Sequence, residues 1–123
     1  MKKSRKWVMV LAALVIVLGN AVSSFAAVKD ATLPGGAYAY NYATSTYAYA
    51  YTQHTTAYCY CRLTVYGADG STILEQKTIE QTGLAPRDYT CTGSNTISKS
   101  VSAHKATYTD GTSSGFKTLT VTP

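Results

Sequence analysis

Ala57-Tyr58-Cys59-Tyr60-Cys61-Arg62-Leu63-Thr64-Val65-Tyr66 changes character at every residue. Ala57, Cys59, Cys61, Leu63 and Val65 share one parity; Tyr58, Tyr60, Arg62, Thr64 and Tyr66 share the other. Successive side chains of a strand point to opposite faces, so this period of two predicts a strand whose small, apolar side faces a core. Gly67-Ala68-Asp69-Gly70 follows with residues suited to a tight turn, and Thr72 to Ile79 reads as the returning strand of a hairpin. Within that return, adjacent Ile73 and Leu74 and the polar Glu75, Gln76 and Lys77 blur the alternation, the pattern of a charged edge strand that resists pairing with another chain.

Upstream, Ala37 to Tyr51 alternates small and aromatic residues, with Tyr38, Tyr40 and Tyr42 on even positions and Tyr47, Tyr49 and Tyr51 on odd ones. The switch of parity requires a break in the pleat around Ala43-Thr44-Ser45-Thr46, either a bulge or a tight turn. A straight strand of fifteen residues would span ~50 Å, too long for so small a domain, which favours two shorter strands or one strongly bent one.

Downstream, Gln81 to Asn95 carries Gly83, Pro86 and Gly93 without sustained periodicity and reads as a long loop with a short strand near Tyr89-Thr90-Cys91. Alternation resumes over Thr96 to Thr109, with Ile97, Val101 and Ala103 on one parity and Ser98, Ser100, Ser102 and His104 on the other. A turn at Asp110 to Gly115 precedes a last strand, Phe116 to Thr122, with Leu119 and Val121 facing inward. Helical spacing of apolar residues occurs nowhere after the first 26 residues. The expected fold is all-β, a small antiparallel sandwich of about six or seven strands, with a small closed barrel as the alternative.

Residues 1–26 read as a secretory signal. Lys2, Lys3, Arg5 and Lys6 precede the apolar run Trp7 to Leu18, and Ser24-Phe25-Ala26 supplies a small-x-small cleavage site. The run stops at Gly19-Asn20, short of the ~20 residues that cross a bilayer, so the processed chain is expected to be secreted rather than membrane-spanning. Residues 27–36 then form a short lead and 37–123 a single domain. Ala27 at the cleavage site, instead of a cysteine, argues against lipidation, and no wall-anchoring signal is expected at Thr120-Val121-Thr122-Pro123. The whole chain carries 11 Lys and Arg against 6 Asp and Glu; four of those bases lie in the signal, leaving seven against six, a balance of +1. The remaining bases are scattered singly, which argues against a nucleic-acid partner.

An exported chain with Cys59, Cys61 and Cys91 is expected to hold one disulfide and one odd thiol. Cys91 is the common candidate partner, because Cys59 and Cys61 on one strand face sit ~6.7 Å apart, at the limit of disulfide geometry. Closing that loop is worth ~3 kcal/mol in the chain-entropy view. A zinc or copper(I) site built from Cys59, Cys61 and His54, with His104 or Cys91 as a further ligand, is the sharper alternative, but the spacing matches no common zinc signature, so no metal or other cofactor is expected. For catalysis, only His54 and His104 titrate near neutrality, and a Cys59 or Cys61 pair with His104 competes with a plain disulfide and a histidine on a solvated strand face. No paired acids or phosphate loop accompany them, and the chain is expected not to be an enzyme.

Eight of the eleven tyrosines lie between Tyr38 and Tyr60. Tyrosine joins a large apolar ring to a polar tip with few rotatable bonds, which suits recognition surfaces, so Tyr38, Tyr40, Tyr42, Tyr47, Tyr49, Tyr51, Tyr58 and Tyr60 are the candidate binding surface for an extracellular protein, a glycan or a cell-envelope component. The same residues are favoured in strands for packing alone. The uncharged segments Ala37 to Tyr42 and Tyr47 to Tyr51 also carry the signature of stacking strands, so extracellular assembly or fibre formation is a third reading, with homo-oligomers formed through the odd cysteine or a sheet edge.

The aromatic, Ser/Thr-rich region reaching His54, the Cys59-x-Cys61-x-Leu63-x-Val65 strand, the polar turn, the Lys/Gln-rich return and the later alternating strand together resemble the lactococcin-type bacteriocins over the middle half of the processed chain. That resemblance implies a secreted β-sandwich that binds a cell-wall precursor and inhibits wall synthesis in other bacteria. The chain departs from the pattern in its three cysteines, its greater length and its Gly115 to Val121 strand.

Overall fold

The computed structural model describes residues 26–123, so the signal read at residues 1–26 lies, apart from Ala26, outside the described residues. Six strands form one antiparallel network: β1 (Ala27–Thr32), β2 (Tyr38–Ala43), β3 (Tyr47–Tyr66), β4 (Ile73–Thr90), β5 (Lys99–Thr107) and β6 (Lys117–Val121). The all-β, antiparallel expectation holds.

The central strand, β3, runs for 20 residues. Drawn straight it would reach roughly 65 Å, so it fits the domain only by bending. Its first half, Tyr47 to Gln53, pairs with β2 on one side and with Thr90 to Leu84 of β4 on the other. Its second half, Tyr58 to Tyr66, pairs with Thr82 to Ile73 of β4 and with β5. Between the halves, His54 to Ala57 on β3 face Gly83 alone on β4, a bulge that turns the hairpin over on itself. Gly83 takes φ +91°, which a side chain would resist. Two layers result, β1-β2-β3-β4 and β4-β3-β5-β6, sharing the bent hairpin. β1 and β6, the ends of the path, touch without a hydrogen-bonded ladder, so the strands form one folded, nearly closed sheet, the barrel alternative rather than a sandwich of two separate sheets.

Several sequence expectations change here. Gln81 to Thr90 is not a loop but the second half of an 18-residue strand, because its ladder to the Tyr47 to Cys59 part of β3 overrides its Gly and Pro content. Residues 27–36 are not a bare lead, since Ala27–Thr32 adds β1 to the sheet. The parity switch is a tight hairpin, with the Thr44 backbone N–H donating to the Tyr47 carbonyl at 2.7 Å, but the second tyrosine strand runs on into the long β3. The hairpin between β3 and the start of β4 is as expected, and β4 is an edge that pairs with β3 alone.

The core gathers the small parity of each strand: Ala37, Ala39 and Ala43 of the β2 region, Ala48 and Ala50 of β3, then Cys59, Cys61, Leu63 and Val65, closed by Leu119 and Val121. Alanine across the first layer lets the sheets approach and leaves room for polar side chains between them.

Candidate functional site

The six tyrosines from Tyr38 to Tyr51 share one face of the first layer. Thr44 sets this up: its Oγ1 accepts the backbone N–H of Thr46 at 3.2 Å and of Tyr47 at 3.0 Å, closing the hairpin so that Tyr40 stands opposite Tyr51 and Tyr42 opposite Tyr49. Tyr40 and Tyr51 stack at 5.0 Å between centroids, and Tyr49, Tyr38, Tyr42 and Tyr47 extend the contacts at 5.6 to 6.3 Å. Tyr38, Tyr40, Tyr42 and Tyr51 are buried, with Tyr47, Tyr49 and Ala26 packed against them. The Tyr38 hydroxyl donates to Asp30 Oδ2 at 2.7 Å on β1, and the Tyr47 hydroxyl to Asp88 Oδ2 at 3.5 Å on β4. Burial, reinforced by the Asp88 carboxylate, pushes the Tyr47 phenol up to about 12; burial also raises Tyr40 to about 12.

Tyr58 and Tyr60 lie beyond the bulge, on the outer face of the second layer. There Tyr58 is 49% exposed, and the half-buried Tyr60 meets the ring of Phe116 edge-on at 5.3 Å. Phe116 is itself 63% exposed and carries the Lys105 ammonium 4.9 Å above its ring; Lys99 sits 4.3 Å above Tyr66 in the same way. The eight sequence candidates are therefore split into a buried group and an exposed one. Sequence reading misses Phe116 and Lys105 as companions of Tyr60. Arg62 is legible in the sequence, as a member of the Tyr58-Tyr60 parity.

A row of buried polar side chains joins the two layers. Asn41 Nδ2 donates to the carbonyls of Ser100 and Leu119, each at 3.0 Å, and Ser100 Oγ returns a bond to Asn41 Oδ1 at 3.0 Å. Thr52 Oγ1 donates to the Tyr60 carbonyl at 2.7 Å, so its 2.8 Å contact with His104 places a proton on Nδ1. His104 Nε2 then accepts from Ser102 Oγ at 2.6 Å. His104 is 0% exposed, not solvated as the alternation suggested, because both ring nitrogens find hydroxyls inside. Burial lowers its pKa to about 4, against a partly opposing backbone contact with Tyr51.

Cys61 stands directly across from His104 in the β3–β5 register. Burial raises its thiol to about 12, although the Arg87 charge and the Thr52 hydroxyl favour the thiolate. Thiol and imidazole are both neutral in this setting, so the pair does not form the ion pair of an activated cysteine. Cys59 is buried at the bulge, its thiol pointing to the carbonyls of Ala57 and Gly83. Cys91 lies half-buried at the other end of the hairpin, its backbone N–H on Thr46 O at 2.8 Å. All three are free thiols, so the expected disulfide is not formed: Cys91 leaves β4 beside the Thr44–Thr46 turn, at the opposite end of the first layer from the bulge that precedes Cys59 and Cys61.

His54 has a local task. Its Nδ1 accepts the backbone N–H of Thr56 and Ala57 at 3.2 and 3.1 Å, holding the bulge, and its ring meets Tyr108 at 5.1 Å. Among the described residues no three His, Cys, Asp or Glu side chains converge as metal ligands. Comparison with protein-family models, curated proteins and solved structures yields no match.

Proposed function

We propose that the chain is exported and acts by binding rather than by turnover, through the outer face of the second layer around Tyr58, Tyr60 and Phe116. The observation that carries this is the presence of two large, exposed aromatic rings, Tyr58 and Phe116, fixed on adjoining parts of one rigid face, with Tyr60 between them. Residues 1–26 support export, with their basic start, apolar run and cleavage site. Support for the non-catalytic part comes from Cys61 and His104, the best-placed nucleophile and base, which are both buried and held neutral. The stacking-prone segments of β2 and early β3 are paired on both sides instead of lying at a sheet edge, which favours binding over fibre assembly.

The test is co-sedimentation of the secreted protein with bacterial cell envelopes. Tyr60→Ala and Phe116→Ala are expected to lower the bound fraction about tenfold together while leaving the unfolding midpoint within a few degrees. Retained binding in the double variant overturns the reading. Growth of bacteria exposed to the same protein separates binding alone from the antibacterial action that the bacteriocin resemblance implies.

A further inference from the structure

The outer face of the second layer has a charge pattern as well as exposed rings. Antiparallel partners share a face, so the register sets Lys105 beside Tyr60, Arg62 one step along and Lys99 beside Tyr66. Glu80, across from Tyr60 on β4, is the one acid of this face. Three cations against one acid is a concentrated excess for a chain whose residues from 27 onward balance at +1. Among the described residues the ion pair present is Lys77 with Glu75, on another part of β4, so Arg62, Lys99 and Lys105 face outward with no carboxylate partner. Lys105 and Lys99 are instead held over Phe116 and Tyr66, which fixes both ammonium groups beside aromatic rings.

From this arrangement, and resting on the binding function proposed above, we infer that the face of Tyr60, Arg62, Lys105 and Phe116 binds an acidic polysaccharide. A sugar ring carries an apolar C–H face that stacks on an exposed aromatic ring and, in a uronic acid, a carboxylate at its edge. Rings and unpaired cations alternate here in a way that meets both groups at once. The guanidinium of Arg62 offers a planar fork to a carboxylate, and the ammonium of Lys105 a point charge beside the ring that would stack. Thr78, Thr82, Thr107 and Thr118 fall on the same face by register and offer hydroxyls to sugar hydroxyls. From the Tyr60 row to the Tyr66 row the face extends ~20 Å along the strands, which suits an extended chain better than a compact ligand. A phospholipid surface is disfavoured because this strand face is threonine-rich and Ile73, opposite Tyr66, is its one large exposed aliphatic side chain among the described residues.

The experiment titrates the secreted protein with polygalacturonate and with the same polymer fully methyl-esterified, which keeps the sugar backbone and removes the charge. Binding to the acidic polymer, weakened about tenfold by esterification and by high salt, is expected. Arg62→Gln and Lys105→Gln should each weaken it several-fold, whereas Lys77→Gln, already paired with Glu75, should leave it unchanged. Equal binding of the esterified polymer overturns the acidic-ligand inference and keeps the aromatic face as the contact. Binding to neither polymer, with envelope binding still lost in Tyr60→Ala, overturns the inference alone. Preferential binding to phosphatidylglycerol vesicles also overturns it. If envelope binding also survives Tyr60→Ala with Phe116→Ala, the inference and the binding function both fail.

Discussion

Thr52 Oγ1 and His104 Nδ1 meet at 2.8 Å between the two layers, one on the first half of β3 and the other on β5. Because the threonine proton is committed to the Tyr60 carbonyl, Nδ1 carries the histidine's proton, and burial keeps the second ring nitrogen, beside Ser102 Oγ, unprotonated at neutral pH. Burial thus favours the neutral imidazole in the folded state.

Acid should unfold the protein through this residue. The folded pKa is about 4, below the ordinary value of 6.5, so between the two the unfolded chain binds the extra proton. Stability is then full above pH 6.5 and declines as pH falls toward 4, by about 3 kcal/mol in all. Denaturant unfolding across that range should show the slope, and His104→Leu should flatten it. Thr52→Val, which leaves the Nδ1 proton without its acceptor, should cost about 1–3 kcal/mol at neutral pH.

Asn41 clips β2 to β5 and β6 through one amide. Asn41→Asp replaces a group donating to two carbonyls by an acceptor facing them, and about 3 kcal/mol or more should be lost. Asn41→Asp should also lower the thermal midpoint more than a surface change such as Asp110→Asn, read by calorimetry.

The bulge rests on Gly83 and His54. A Cβ at Gly83 would meet only the His54 carbonyl at 3.9 Å, an ordinary contact, so Gly83→Ala should cost about 1–2 kcal/mol from backbone strain at φ +91° alone. His54→Ala should cost about 1–2 kcal/mol by removing the acceptor for two backbone donors. The double variant should show non-additive losses in an unfolding cycle, because both residues hold one turn of chain.

The thiols should respond in order of burial. Under native, non-reducing conditions Cys91 should alkylate first, while Cys59 and Cys61 should react only after denaturation, giving three modified sites by intact mass without any reductant. A single modified site after denaturation would signal a disulfide between the other two.

Much of this architecture is legible in the residues. The Cys59, Cys61, Leu63, Val65 parity reads inward and is inward, Leu119 and Val121 likewise, and the hairpin after Tyr66 follows from its turn residues. These are local patterns, and a period of two needs only one strand to show it. Gln81 to Thr90 defied the same reading because its extended form is held by partners on β3 more than twenty residues away. His104 defied it in another way: a Ser/His parity looks solvated until Thr52 arrives from a different part of the chain to satisfy it.

The sequence by itself determined the strand periodicities, the position of the tight turns and the concentration of tyrosine, since each depends on neighbours within a few residues. Only the tertiary structure decided which tyrosines are buried, which polar residues lie inside, and that Tyr60 shares a surface with Lys105 and Phe116. Those outcomes depend on the register of strands distant in sequence and on the bend at Gly83, which sends the two halves of one strand into different layers.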